Sequence, residues 1–152
     1  VLHEDFMRQA IYEAQKAYSR DEVPIGAVVV KDGLVIGRGY NLRESHQDPT
    51  LHAEIIAIRE ASKNLKSWRL TGCSLYVTIE PCAMCAGAMI QSRLENLIFG
   101  AWDPKGGCVG SLYDLVTDNR FNHRVEVIQG ILEDECRELM QNFFRQKRLR
   151  RG

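Results

Sequence analysis

Two short stretches set the tightest limit on how this chain folds: His52-Ala53-Glu54, and Pro81-Cys82-Ala83-Met84-Cys85. One imidazole and two thiolates make three good zinc ligands. No fourth Cys or His sits at regular spacing, so the pattern is that of a catalytic zinc with an open corner, not a closed structural site. The fold must therefore bring residue 52 beside residues 82 and 85. Ile55, Ile56, Ile58, Ala61 and Leu65 follow His52 at roughly helical spacing, so His52 opens a helix. Pro81 precedes Cys82, a favourable place for proline at a helix start, and Ala86, Ala88, Met89 and Ile90 continue an apolar helix. Two helix N-termini then face one another, where free N–H groups and the dipole favour anionic sulfur.

Glu54 adds the second half of the pattern. Two residues past His52, it lies on another side of the helix and is poorly placed to chelate. It is placed to stand beside a metal-activated water and take its proton. Zn²⁺ with two thiolates and a neutral imidazole carries no net charge and acidifies water less than an all-His site, so a carboxylate base is useful there. A lone Cys-x-x-Cys reads equally as a redox pair or half of a structural zinc site, and a lone His-x-Glu means little. Together, in this order and with Pro81 before the first Cys, they favour a catalytic zinc.

The chain's 152 residues suffice for one domain with its own core, expected to span residues 1–152. Apolar content of 45% and charged content of 26% are ordinary for a soluble globular protein. No run is long and apolar enough to span a membrane. Charges from His3, Glu4 and Asp5 through Arg20, Asp21 and Glu22 exclude a secretory signal peptide in that stretch, so a cytoplasmic protein is expected. The start at Val1 leaves room for further residues ahead of it. Five cysteines without such a signal argue against a disulfide framework, leaving Cys73, Cys108 and Cys136 as free thiols. Cys73 and Cys136 read as core, while Cys108 stands in a Gly-rich loop.

The formal net charge is zero, but its distribution is uneven: apart from Arg145, Lys147, Arg148, Arg150 and Arg151, the chain is net acidic. That basic end reads either as a solvated helix terminus with a favourable dipole or as a contact to an RNA backbone.

In chain order, Phe6, Met7, Ala10, Ile11, Ala14, Ala17 and Tyr18 mark a first amphipathic helix. Residues 25–30 form a buried strand, Lys31-Asp32-Gly33 a turn and residues 34–40 a second strand of a hairpin. Residues 42–50 are expected to be loop, followed by a helix from near His52 to about Lys66. A strand over 75–79 delivers the chain to Pro81. The cysteine helix runs to about Ser92, and a fourth strand spans 97–101. Residues 102–123 form the longest irregular stretch, with a short helix expected around 112–116. Its glycines lack the Lys-Ser/Thr pair of a phosphate-binding loop. A fifth strand covers 125–128, and a helix from Glu133 to about Arg148 closes the chain, with Leu139, Met140, Phe143 and Phe144 on its apolar side. Strands alternating with helices after the hairpin imply parallel pairing there. The expected fold is α/β: a three-layer α/β/α arrangement around a five-stranded mixed sheet. Ligands of such sheets gather at strand carboxyl ends, where Pro81, Trp102 and Asp103 lie.

These motifs resemble the zinc-dependent cytidine deaminase-like superfamily of nucleoside deaminases. The resemblance covers nearly the whole chain and falls within the branch of bacterial tRNA-specific adenosine deaminases. Supporting stretches are Glu22-Val23-Pro24-Ile25-Gly26-Ala27, Asp48-Pro49-Thr50, Leu75-Tyr76-Val77-Thr78-Ile79-Glu80, residues 106–112, and Phe121-Asn122-His123-Arg124. The resemblance implies one Zn²⁺ per chain on His52, Cys82 and Cys85, with Glu54 as the catalytic proton shuttle. It implies hydrolytic deamination of the wobble adenosine in a tRNA anticodon stem-loop to inosine. It implies Asn41 as a contact to the flipped nucleoside, although an Asn after a strand also stabilises turns. Asp103, Asn122, His123 and Phe144 are candidates for contacts to flanking nucleotides, with core or loop-stabilising roles left open. A homodimer through the small-residue and Met face of 83–90 is implied too, although that stretch reads equally well as core.

Two other functions compete. A deaminase of a free base or nucleotide (cytosine, guanine or deoxycytidylate) would use the same zinc site. A non-enzymatic RNA-binding module with structural zinc is disfavoured by Glu54 and the open fourth position.

Overall fold

Strand β1 (Gly26–Lys31) is buried on both faces, and its alternation divides the core. Ala27 and Val29 face one hydrophobic cluster, while Val28 and Val30 face the other. This is the period-2 pattern of a strand covered by helices on both sides. The computed structural model describes residues 2–151; Val1 and Gly152, at the ends of the expected 1–152 domain, lie outside the described residues.

The remaining elements are α1 (His3–Ser19), β2 (Leu34–Tyr40), α2 (Arg43–His46), α3 (Ala53–Leu65), β3 (Cys73–Ile79), α4 (Ala83–Gln91), β4 (Asn96–Ala101), β5 (Glu126–Gln129) and α5 (Glu133–Arg151). The five strands form one mixed sheet in the order β2-β1-β3-β4-β5. β1 is antiparallel to both β2 and β3, whereas β3–β4 and β4–β5 are parallel. α1 and α5 cover one face through Met7, Ala10, Ile11 and Cys136, which meet Val28, Tyr76 and Ile98. α3 and α4 cover the other through Ala53, Ala57, Cys85 and Met89, which meet Val29, Val77 and Phe99. The architecture is thus the expected three-layer α/β/α arrangement around a five-stranded mixed sheet. Cys73 and Cys136 are buried in this core, as read from the sequence.

α3 lies unusually close to the sheet. A Cβ on Gly39 would stand 2.3 Å from the Ala53 carbonyl oxygen, and one on Gly37 would stand 2.3 Å from that of Ala57. Only glycine on β2 admits this approach.

Two local expectations are corrected. Residues 42–50 are not all loop: Arg43–His46 form one helical turn, held by the buried Glu22, whose carboxylate accepts the Glu44 N–H at 3.0 Å and the Ser45 N–H at 2.6 Å. That acceptor comes from a distant part of the chain. Residues 112–116 do not form a short helix. Val109 and Asp114 bridge instead, with Gly110 N–H donating to the Tyr113 carbonyl at 2.8 Å. Gly110 at φ +137° turns the chain away from helical geometry.

Candidate active site

His52 and Cys82 occupy equivalent places. Each is the extended residue just before a helix: His52 has φ −78° and ψ 154°, and Cys82 has φ −77° and ψ −180°. Their carbonyls accept the first helical N–H groups, from Ile56 at 3.1 Å and from Ala86 at 2.9 Å. Pro81 therefore sits one residue outside the helix start rather than in its first turn. There it ends β3, and its carbonyl accepts the Cys108 N–H at 2.8 Å.

The two helix starts converge. His52 Nδ1 lies 3.6 Å from Cys82 Sγ and 3.6 Å from Cys85 Sγ, and the three donor atoms all fall within 4.8 Å of one another. Tetrahedral zinc, with Zn–S of about 2.3 Å and Zn–N of about 2.0–2.1 Å, requires an N···S separation of about 3.6 Å. The donor set fits that ion. Hydrogen bonding with Cys85 holds the Cys82 thiol down at about 3 against the opposing effect of burial, while the Cys85 thiol is raised by the same bond. The two sulfurs thus share one negative charge beside His52, and a divalent cation would displace the remaining proton.

Glu54, in the first turn of α3, is buried, and burial pushes its carboxyl up to about 7. A carboxyl with that affinity for protons suits general acid–base work near neutrality. His52, Glu54 and Cys82 open into a cavity of about 1120 Å³ at the carboxyl ends of β3 and β4. Val23, Ile25 and Phe143 supply apolar lining, and Arg43, Lys105, Arg145, Lys147, Arg148 and Arg151 line it with cations.

The other sequence candidates divide. Asp103 and Phe144 line this cavity. Asp103 Oδ1 accepts the Lys105 and Gly106 N–H groups at 3.1 and 3.2 Å, so the residue also caps its own loop. Asn41 is buried beside His52 and Glu54, lining a small cavity of about 80 Å³. Its amide is engaged at both ends: Nδ2 donates to the Val23 carbonyl at 3.3 Å, and Oδ1 accepts the Arg43 N–H at 3.0 Å. Asn122 and His123 are not brought to the cavity. They lie before β5, at the opposite end of the sheet, where His123 Nε2 is 2.6 Å from the Leu94 carbonyl oxygen. His123 is anchored beneath the start of β4, so as nucleotide contacts Asn122 and His123 would act on a surface away from this cavity.

The sequence reading missed Glu80. It is 3% exposed, stands directly before Pro81, and lines the cavity. A carboxylate set directly between an apolar strand run and Pro81 was the available signal. The basic end of α5 was read, but not its anchor: Asp21 Oδ1 accepts from Arg150 at 2.8 Å and Oδ2 from Lys147 at 3.3 Å.

This sheet order, with its facing helix starts and buried carboxyl, belongs to a deaminase: residues 1–148 match the family model of the MafB19-like deaminases. A tRNA-specific adenosine deaminase of Bacillus subtilis (strain 168) is 54% identical over 94% of this chain and 89% of its own length. A solved structure from work on A-to-I editing by tRNA:A34 deaminases at the wobble position of transfer RNA superposes with a TM-score of 0.85. It is 47% identical, over 89% of this chain and 98% of that one. The chain belongs to the family of tRNA-specific adenosine deaminases. It is also similar, more distantly, to a guanine deaminase from Bacillus subtilis: 40% identity and a TM-score of 0.63, over 66% of this chain and 64% of the other.

Proposed function

We propose that this protein deaminates the wobble adenosine of a tRNA anticodon loop to inosine, releasing ammonia. The observation that carries the chemistry is the buried Glu54 carboxyl beside the His52–Cys82–Cys85 donor set. Those three residues would hold one Zn²⁺, which when bound would supply a Lewis acid that activates water. Glu54 accepts a proton from the attacking water and delivers it to purine N1. Oxygen adds at C6, the remaining proton of that oxygen passes through Glu54 to the exocyclic amine, and the C6–N bond breaks to release ammonia and leave the C6 carbonyl of inosine. Burial of Glu54 keeps bulk water from competing for that proton.

The cationic rim favours a polynucleotide over a free base. Arg145, Arg148 and Arg151 on α5, with Arg43 and Lys105 opposite, suit phosphates flanking a base inserted toward Glu54. Phe144, 42% exposed and packed edge-on against Phe143, offers a face on which a neighbouring base can stack. Asp103 on the large cavity and Asn41 on the small one beside it, both bordered by His52 and Glu54, are candidate contacts. A tRNA substrate makes the protein cytoplasmic, and no described helix is long and apolar enough to cross a membrane. The half-buried Met84, Gly87 and Ala88 on α4 support a homodimer through that face.

The test is inosine formation in an anticodon stem-loop compared with free adenosine, guanine, cytosine and deoxycytidylate. The reading expects turnover only of the stem-loop. Turnover of guanine or a free nucleotide, with the stem-loop untouched, would replace it with the free-substrate deaminase reading.

A further inference from the structure

Glu80 is almost wholly buried and is neither one of the metal donors nor the proton-transfer residue Glu54. Its N–H donates to the Ala101 carbonyl at 2.8 Å, continuing the β3–β4 contact past the end of the strands. Its carboxylate reaches under the loop that follows β4. Oε1 accepts the Asp103 N–H at 3.0 Å and the Ser111 hydroxyl. Oε2 accepts the Val109 N–H at 2.9 Å and the Ser111 N–H at 3.0 Å. Gly107 sits against the carboxylate so closely that a Cβ there would stand 2.2 Å from it. The loop and the carboxylate are built as one unit. Burial alone would raise the Glu80 carboxyl, but its hydrogen bonds to Ser111, Asp103 and Val109 outweigh that and hold it below the ordinary range.

We infer that Glu80 is a positioning residue for substrate: it fixes the Asp103–Ser111 wall of the cavity relative to the cysteine turn, and so governs RNA binding rather than the chemical step. The same short segment carries Glu80 and the Cys82 helix start, so the wall is registered directly to the metal donors. Asp103, and Lys105 beyond it, reach the cavity from this wall. Three backbone N–H groups point at one carboxylate. No neutral side chain of the same shape satisfies them, because an amide must turn its NH₂ toward at least one donor.

The inference rests on the tRNA deaminase reading, and wild type separates the two: if wild type does not deaminate the stem-loop, that reading fails, whatever Glu80 does. With wild type active, Glu80→Gln is expected to keep stoichiometric zinc and a kcat within about threefold, while KM rises about 10- to 100-fold, the loss expected when buried donors are left unpaired. Amide hydrogen exchange at Asp103, Val109 and Ser111 should accelerate in the same variant, with exchange in β1 unchanged. Ser111→Ala removes only the hydroxyl bond and should raise KM by about 2- to 5-fold; it also serves if Glu80→Gln does not fold. An unchanged KM in the foldable variant overturns the inference. So does zinc loss, or a fall confined to kcat, either of which would place Glu80 in the metal or proton-transfer machinery.

Discussion

Gly39→Ala should weaken zinc binding although Gly39 touches no donor atom. A Cβ at this position would lie 2.3 Å from the Ala53 oxygen, 2.8 Å from the Ala57 nitrogen and 2.9 Å from the Ile56 Cβ. Ordinary contact begins near 3.4 Å, so the first turn of α3 must retreat by about 1 Å. His52 immediately precedes that turn, and its Nδ1 must stay 3.6 Å from both sulfurs. Zinc sites tolerate about 0.2 Å in each bond, several times less than the expected shift. The overpacking should cost about 1–3 kcal/mol of stability and zinc affinity should fall about 10- to 100-fold, as when groups that support metal ligands are disturbed. Gly37→Ala is the matched control. Its Cβ strikes Ala57 and Ala61, one turn further from His52, so it should cost similar stability with a smaller loss of metal. The assay is chelator competition for zinc alongside thermal melting. Equal zinc affinity in wild type and Gly39→Ala, with the melting temperature lowered, would refute the idea that sheet-to-helix packing sets the donor geometry.

Four further outcomes are expected. Glu54→Gln should retain zinc and lose about 10²–10⁴-fold in single-turnover rate; parallel loss of metal would make Glu54 structural. Cys82→Ser and Cys85→Ser should lose zinc, whereas Cys73→Ser, Cys108→Ser and Cys136→Ser should keep it, checked by metal analysis of each purified variant. Removing residues 148–152 should lower the slope of log affinity against log salt by about 1.4–1.8, the share of Arg148 and Arg151 alone, because Arg150 is already paired with Asp21; a drop of three phosphate contacts would contradict that pairing. Asp103→Asn should narrow the preference for RNA over DNA in matched hairpins, since a carboxylate near phosphate needs a donor such as the ribose 2′-OH. An amide oxygen can still cap Lys105 and Gly106, so an equal fall on both substrates would assign Asp103 to the loop alone.

The parts legible in the sequence were those set by near neighbours. A continuous apolar run over residues 25–30, helical spacing after His52 and a proline before Cys82 are local signals, and they located that strand and the two helix starts to within a residue or two. The cluster of His52, Cys82 and Cys85 was legible for a chemical reason: an imidazole and two thiolates at helix starts are good ligands for one metal ion. What only the tertiary structure decided involves partners far apart along the chain. Glu22 gives residues 43–46 their helical turn, Glu80 gathers amides from 103, 109 and 111, and the Leu94 carbonyl anchors His123 at the end of the sheet away from the cavity. The course of the basic end of α5 along the cavity, with Asp21 paired to Lys147 and Arg150, was likewise set by the fold. The physical reason is the same in each case. A polar side chain takes its role from the group it meets, and when the chain is long that group is chosen by how the layers pack, not by sequence distance.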